Sequence, residues 1–408
     1  MHDNTLPRHA AEHLHALLDV FPVAVVTGAR QTGKSTLVRR RAFADDRVYV
    51  SLDDVLVRDQ ARREPDLLLA RGHQLIVDEV QHAPDLLLAI KRAVDERRER
   101  GRYILTGSAD LLLHEKVSES LAGRAGYLTL WPLTRREQLG LGSAGAWGQL
   151  LDAEPASWPE ILAGQVAPAE DWDELARRGG YPVPAHELRT DQARTTWFDG
   201  YTATYLERDV RQLSAIDQLA DMRRLMRALC LRLGGLINQA EISRDLGVPS
   251  STVQRYLNLL EVSYQLVRVP AYAVNRTKRL MKSPKLYWSD TGLALHLSGE
   301  PAPRGAHLEN IILTDLLAWS ATASPRTTVL HWRTRAGAEV DFVLERPGKL
   351  LPIEIKASTR VRMADARHLR TFMAEYPDTA AAALLLYDGQ ETFWLDHQVL
   401  AAPWHRVV

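Results

Sequence analysis

The stretch that most constrains this chain lies near its start. Val23-Ala24-Val25-Val26-Thr27 is short, apolar and β-branched, the composition of a strand buried on both faces. It runs directly into Gly28-Ala29-Arg30-Gln31-Thr32-Gly33-Lys34-Ser35 and then into the helix-like Thr36-Leu37-Val38-Arg39-Arg40. A G-x-x-x-x-G-K-S pattern between a strand and a helix predicts an α/β fold with a parallel sheet and a phosphate-cradling loop. Gly28, Ala29, Arg30, Gln31, Thr32, Gly33, Lys34, Ser35 and Thr36 are the predicted cradle. Lys34 should reach the β- and γ-phosphates of ATP, and the Ser35 hydroxyl should bind Mg2+. A chance match in a Gly-rich turn is the plain alternative; the flanking strand and helix argue against it.

A second strand-like run, Gln74-Leu75-Ile76-Val77-Asp78-Glu79-Val80, ends in adjacent carboxylates. Downstream of a phosphate loop, Asp78 is expected to hold the Mg2+ and Glu79 to orient a lytic water, which favours hydrolysis over phosphoryl transfer to a small molecule. The strand at residues 102–108 ends in Thr106 and Ser108, either of which can position that water or simply close a turn. Residues 47–52 and 126–131 supply two more strands, giving five parallel strands with intervening helices such as residues 84–100. Arg124 is a candidate arginine finger, in cis or from a neighbouring subunit of a homo-oligomer; the plain alternative is a surface ion pair.

At 408 residues the chain is too long for one core. Its 51 basic and 51 acidic residues cancel, so any nucleic-acid contact must come from a local patch. No apolar run approaches the roughly 18 residues of a membrane helix, and the first residues do not resemble a signal peptide. Cys230 is the only cysteine, which excludes an intrachain disulfide and suits a reducing cytoplasm. The fourteen histidines show no metal spacing; His9, His13 and His15 read as an amphipathic helix flanking the adenine pocket.

Residues 140–168, rich in Gly, Ala, Pro and Trp, read as an irregular insertion. Residues 177–213 turn helical and read as a lid or connector, with Glu207, Arg208 and Asp209 as ion-pairing groups. From Gln239 to Leu257 the pattern is a helix pair: Ile242 and Leu246 on one face, Gly247 at the turn, Ser250 or Ser251 as the cap of the second helix. Val253, Leu257 and Leu260 form its buried stripe, leaving Thr252, Gln254 and Arg255 outward for DNA. Strands at residues 265–271 and 285–288 flank Arg276, Lys278, Arg279, Lys282 and Lys285 with no acid interposed, as in the wing of a winged helix. A solvated face or a packing module explains the same pattern without DNA.

Near the C-terminus, Glu339-Val340-Asp341-Phe342-Val343-Leu344 alternates as a strand. A second strand, Leu351-Pro352-Ile353-Glu354-Ile355-Lys356, sets Glu354 and Lys356 on one face. Pairing across the Arg346-Pro347-Gly348-Lys349 turn would bring Asp341, Glu354 and Lys356 together as a Mg2+ or Mn2+ site acting on a phosphodiester. Glu309, ahead of Asp315, is the expected further acid, from a helix at residues 305–318. The plain alternative is a solvated hairpin with a Glu354–Lys356 ion pair.

The motif order GARQTGKSTLVRR, LIVDEVQ, RYILTGSADLL, ESLAGRAGYLTLWPL, YLERDV, RLMKSPKLYWSDTGL and EVDFVLE…LPIEIKAS resembles a broad prokaryotic family. Its members join an AAA+-like ATP-binding domain to a C-terminal domain of unknown function with a PD-(D/E)xK nuclease-like fold. The resemblance covers most of the chain apart from residues 140–168. It implies P-loop ATPase chemistry on Gly28, Gly33, Lys34, Ser35, Asp78 and Glu79, and a terminal domain that is often catalytically damaged in relatives. The expected architecture is therefore multidomain α/β. Residues 1–135 form a P-loop NTPase core, 136–215 a lid with an insertion, 216–290 a winged-helix-like domain and 291–408 a restriction-endonuclease-like domain. The expected function is a Mg-dependent ATPase coupled to a DNA-engaging half; the alternative is a nucleotide-gated switch or scaffold with a silent terminal domain.

Overall fold

The computed structural model describes residues 5–107, 121–165, 168–206 and 219–408. The first apolar run forms β1 (Val23–Thr27), joined by β2 (Val48–Ser51), β3 (Leu75–Asp78), β4 (Tyr103–Thr106) and β5 (Ala125–Thr129). All neighbours are parallel, in the order β2-β3-β4-β1-β5. Alternate side chains of the central strands enter two separate cores. Val23, Val25, Val77 and Leu105 pack with Leu86 and Ile90 of the helix Leu86–Glu96. Ala24, Val26, Ile76 and Ile104 pack with Leu14 and Leu18 of the helix Ala10–Val20 and with Leu37 of Lys34–Val38. Burial on both faces leaves no polar side, so these strands read as unbroken apolar runs. The parallel order also sets the C-terminal ends of β1, β3 and β4 side by side, where open α/β sheets bind ligands.

The described part of the predicted insertion, residues 140–165, contains regular structure, contrary to expectation. It forms the short helices Trp147–Asp152 and Trp158–Ala163 around a 3-10 turn, Pro155–Ser157. The tryptophans explain the order. Trp147 is fully buried, and its indole N–H and the Gly145 N–H donate to Asp315 Oδ1 at 2.6 and 2.8 Å. The Ala146 N–H donates to the Val407 carbonyl at 2.9 Å. Nearby, Arg135 donates to the carbonyls of His405 and Val408 and lies over the Trp404 ring. The last residues are thereby tied to the flank of the first sheet, and one apolar core runs from the insertion through the middle helices to the C-terminal sheet.

The middle segment holds the predicted helix pair, Gln239–Leu246 and Ser250–Val262, with Gly247 left-handed at the turn (φ 65°). Neither Ser250 nor Ser251 caps the second helix by its side chain; Pro249 takes the cap position. The strands that follow, β6 (Leu266–Val269) and β7 (Lys285–Trp288), pair antiparallel. The expected basic loop between them contains a helix, Arg276–Met281, because the Asn275 carboxamide accepts from the N–H groups of Thr277 and Lys278.

The C-terminal unit is a six-stranded mixed sheet of β8 (Thr328–Arg333), β9 (Glu339–Arg346), β10 (Lys349–Lys356), β11 (Ala383–Tyr387), β12 (Phe393–Trp394) and β13 (Val399–Pro403), ordered β12-β13-β11-β10-β9-β8. The predicted hairpin is present: β9 and β10 pair antiparallel with Ile353 opposite Phe342. The helix Gly305–Ser320 covers one face through Leu308, Ile312 and Leu316, and Arg367–Glu375 covers the other through Leu369 and Phe372. Among the described residues no helix is long and apolar enough to cross a membrane.

Candidate functional site

The loop after β1 has the backbone its sequence demands. Gly28 adopts φ 141°, and a Cβ there would lie 2.3 Å from the Leu130 carbonyl oxygen, so only glycine fits. Gly33, at φ 91°, begins the helix Lys34–Val38. The Thr32 hydroxyl donates to the Ala29 carbonyl at 3.0 Å, and the buried Arg8 guanidinium donates to the Thr32 carbonyl at 2.7 Å. Arg8 also pairs with Glu137 at 3.1 Å, which fixes the loop to the capping box of the helix Arg135–Gln138. The Lys34 ammonium, buried, donates to the carbonyls of Gly28 and Ala29 at 3.1 and 2.7 Å.

Asp78 gathers the neighbouring groups. Its Oδ1 accepts from the Ser35 hydroxyl at 3.0 Å and from the Thr106 hydroxyl, and its Oδ2 accepts from the Tyr49 phenol at 2.6 Å. Burial and the bond to Asp78 hold the Tyr49 phenol well above its ordinary pKa, so it remains a donor. Thr106 Oγ1 also accepts the Glu79 N–H at 3.1 Å, which ties the two adjacent acids to the end of β4. Glu79 is left-handed at φ 56°, and its carboxylate accepts from the Gln81 carboxamide. The other non-glycine residues at positive φ among the described residues are Gln31 and Tyr264, and Tyr264 donates to Thr27 Oγ1 at 2.9 Å. Gln31 and Glu79 belong to this site, whereas Tyr264 follows the helix Ser250–Val262 and reaches it only through its phenol. Such strain costs roughly 1–3 kcal/mol per residue and gathers where function over-determines the backbone.

The Ser35 hydroxyl and the Asp78 carboxylate, 3.0 Å apart, are hard oxygen donors suited to Mg2+ and are the residues that would hold it. Beside Gly33 and Thr36 lies a cavity of about 170 Å3, walled by Leu6, Leu37, Leu133, Pro182 and His186. That volume suits a flat ring system. Thr5, Leu6 and Arg8, ahead of the helix Ala10–Val20, line it, whereas His9, His13 and His15 do not.

Other predicted residues lie elsewhere. Arg124 precedes β5 at the N-terminal edge of the sheet, opposite the phosphate loop, and makes a bidentate pair with Asp95 at 2.7 and 2.9 Å. The structure therefore does not bring it to this chain's own site. Ser108, Glu207, Arg208 and Asp209 lie outside the described residues. On the helix Ser250–Val262, Arg255 is exposed and Thr252 half-buried, while Gln254 is bonded to Gln239 and Asn258. Lys278 and Lys282 are exposed. Arg279 is not: it pairs bidentately with Glu345 at 2.6 and 2.7 Å and stacks on Tyr272.

The C-terminal acids depart most from expectation. Lys285, the first residue of β7, is 2% exposed, and its ammonium stands 2.9 Å from Asp341, 2.9 Å from Glu339 and 3.3 Å from Glu309. Burial opposes its charge, but Asp341 and the neighbouring acids keep its pKa well above the ordinary value. Tyr287, on the same face of β7, donates to Glu309 at 2.6 Å. Glu354 pairs with Lys356 at 2.6 Å through one oxygen, and its buried Oε2 has no hydrogen-bond partner. Burial, followed by Asp341, pushes both Glu309 and Glu354 above the usual carboxylate range. Asp315 lies apart, bound to Trp147. Among the described residues no three His, Cys, Asp or Glu side chains are placed to hold a metal ion. Glu309, Asp341 and Glu354 thus do not form the expected metal site; an ammonium stands among the acids instead.

Sequence-family matches cover an AAA domain at residues 20–139, a domain of unknown function (DUF8612) at 169–304 and another (DUF4143) at 304–407. Uncharacterized proteins of Mycobacterium tuberculosis and Mycobacterium bovis are 31% identical over a 428-residue alignment spanning 98% of this chain and 84% of theirs. The chain belongs to the same family as these mycobacterial proteins. A protein of Haemophilus influenzae is 22% identical over 258 residues, 62% of this chain and 58% of its own. Among solved structures, a Walker-type ATPase of Pyrococcus abyssi is 17% identical, with 73% of this chain and 99% of that one covered and a TM-score of 0.45. A RuvB variant of Thermotoga maritima is 18% identical, covering 67% and 93%, with a TM-score of 0.30.

Sequence reasoning missed Arg8, Tyr49, Tyr264 and the segment Gly179-Gly180-Tyr181-Pro182. The last is pinned by Asp290, which accepts from the N–H groups of Gly180 and Tyr181 at 2.6 and 3.1 Å and so positions Pro182 on the cavity wall. A paired glycine before Tyr-Pro was its only local signal.

Proposed function

We propose that this chain is a cytoplasmic, magnesium-dependent ATPase whose nucleotide state is passed to a DNA-engaging C-terminal half. The observation that supports it is the meeting of Ser35, Asp78, Thr106 and Glu79 at the sheet edge beside the loop at residues 28–35. Ser35 and Asp78 would hold Mg2+, which would offset the charge of the bound phosphates. Lys34 turns from its loop carbonyls to the phosphates, and the loop N–H groups hold them in line. Glu79 orients the lytic water and accepts its proton as the water oxygen bonds to the γ-phosphorus. The bond from that phosphorus to the β,γ-bridging oxygen breaks, and ADP and inorganic phosphate leave. Thr106 keeps Glu79 and Asp78 in register through the two bonds that it makes.

Two contacts connect this edge to the middle helices: Tyr264 on Thr27, and Tyr201, whose phenol donates to the Arg30 carbonyl at 3.5 Å. For DNA, exposed Lys278 and Lys282 border a cleft of about 870 Å3 that also includes Arg333, Arg335, Trp332 and Tyr376. The exposed cations suit phosphate contact, weakened by salt, and half-buried Tyr376 offers a ring for base stacking, while Trp332 is buried in the core. One observation favours a terminal domain that binds rather than cuts: Lys285 pairs with Asp341 and Glu309, two of the three acids a nuclease would need for its metal.

Steady-state phosphate release tests the reading. Glu79→Gln is expected to lower turnover by about 10²-fold or more while MgATP binding persists. Unchanged turnover in Glu79→Gln removes the assigned base, and tight ATP retention by the wild type without release supports a non-hydrolysing switch.

A further inference from the structure

The cluster around Lys285 draws on three separate elements. Glu309 comes from the helix Gly305–Ser320, Glu339 and Asp341 from one face of β9, and the ammonium from β7 of the middle segment. An ammonium carries three N–H donors, and three carboxylates stand within 3.3 Å of it. Two of those donors bond to Glu309 and Asp341, and Glu339 stands 2.9 Å away as a third ion-pair partner. Lys285 is also the register partner of Val269 in the β6–β7 pair, so its backbone is fixed as firmly as its head group. One acid of the group remains unsatisfied: Glu354, 6% exposed, turns Oε2 inward with no partner.

We propose that the Glu309–Glu339–Asp341 cluster is a cation site whose resident is the chain's own Lys285, a tethered ammonium that excludes divalent metal and latches the C-terminal domain to the β6–β7 hairpin. Buried carboxylates require a positive partner, and a lysine delivered by another part of the fold meets that need without an ion. The latch does not depend on the ATPase reading. It predicts a specific exchange: with the ammonium gone, the same oxygens accept Mn2+, and Glu354 Oε2 stands ready as a further ligand.

The test is Mn2+ binding to the nucleotide-free full chain, followed by loss of the free-ion EPR signal. Asp78→Asn is carried throughout, so that the phosphate loop contributes no metal. With Lys285 present, no Mn2+ is expected at the cluster. Adding Lys285→Met should create one Mn2+ site per chain, at least about tenfold tighter than any seen before, with a rise in melting temperature on adding the ion. Adding Glu309→Gln should abolish both effects. Three results overturn the proposal: Mn2+ bound in the presence of Lys285 and lost in Glu309→Gln, no Mn2+ site in folded Lys285→Met, or failure of both Lys285→Met and Lys285→Gln to fold even with Mn2+ supplied.

Discussion

Two regions of the molecule each set acids near a lysine, and they treat those acids oppositely. At the phosphate loop, the partners of Asp78 are the hydroxyls of Ser35, Thr106 and Tyr49, and Lys34 turns to loop carbonyls. Among the described residues no ammonium or guanidinium pairs with that carboxylate. In the C-terminal cluster an ammonium already stands among Glu309, Glu339 and Asp341. Residue types alone therefore do not make a metal site. What decides is whether the fold supplies its own cation.

The contrast can be broken most sharply by paired neutralisations. Asp341→Asn leaves a buried ammonium short of one partner and is expected to lower stability by about 3 kcal/mol, the lower end for a broken buried pair because Glu309 and Glu339 remain. Asp78→Asn is expected to leave the melting temperature nearly unchanged while abolishing Mg-dependent turnover. Equal melting temperatures for the two variants would erase the distinction.

A smaller effect sharpens it. Tyr264→Phe removes the bond to Thr27, a loss of about 1 kcal/mol, and is expected to weaken the response of the middle segment to MgATP more than it weakens ATP binding. Hydrogen exchange across residues 250–288 with and without nucleotide measures that response. An undiminished change in the variant would place the link elsewhere.

The smallest effect is in pH dependence. Burial raises the folded-state pKa of Glu309 and Glu354 above the unfolded value. The folded chain therefore retains protons that the unfolded chain has released once pH passes the usual carboxylate range, and their contribution to stability falls as pH rises from 5 toward 8. Buried His307 and His331 have lowered pKa values, about 4 each, and act in the opposite sense: their contribution falls as pH drops below their ordinary value of 6.5. Above that value only the acid trend remains. Glu354→Gln is expected to flatten the decline in melting temperature between pH 6.5 and 8; an unaltered slope would show that Glu354 ionises freely.

What could be read in the sequence follows the same division. The phosphate loop, β1, β3 and the β9–β10 hairpin are each spelled by contiguous residues, with strand period and turn chemistry agreeing. The helices Trp147–Asp152 and Trp158–Ala163 span six residues each, too few for a period to emerge, and are held by burial of their tryptophans. The basic stretch at residues 276–282 read as a wing because its neutralising acid, Glu345, lies 66 positions beyond Arg279. Lys285 is likewise 24 residues from Glu309 and 56 from Asp341. A charge whose partner is remote in the chain looks solvated until the fold brings the two together.

The central claim is that the loop at residues 28–35 grips a triphosphate. Calorimetric titration of the purified chain with MgATP tests it most directly. One exothermic event per chain, absent in Lys34→Ala, is the expected result. No heat from the wild-type chain, or equal heat from the variant, would contradict it.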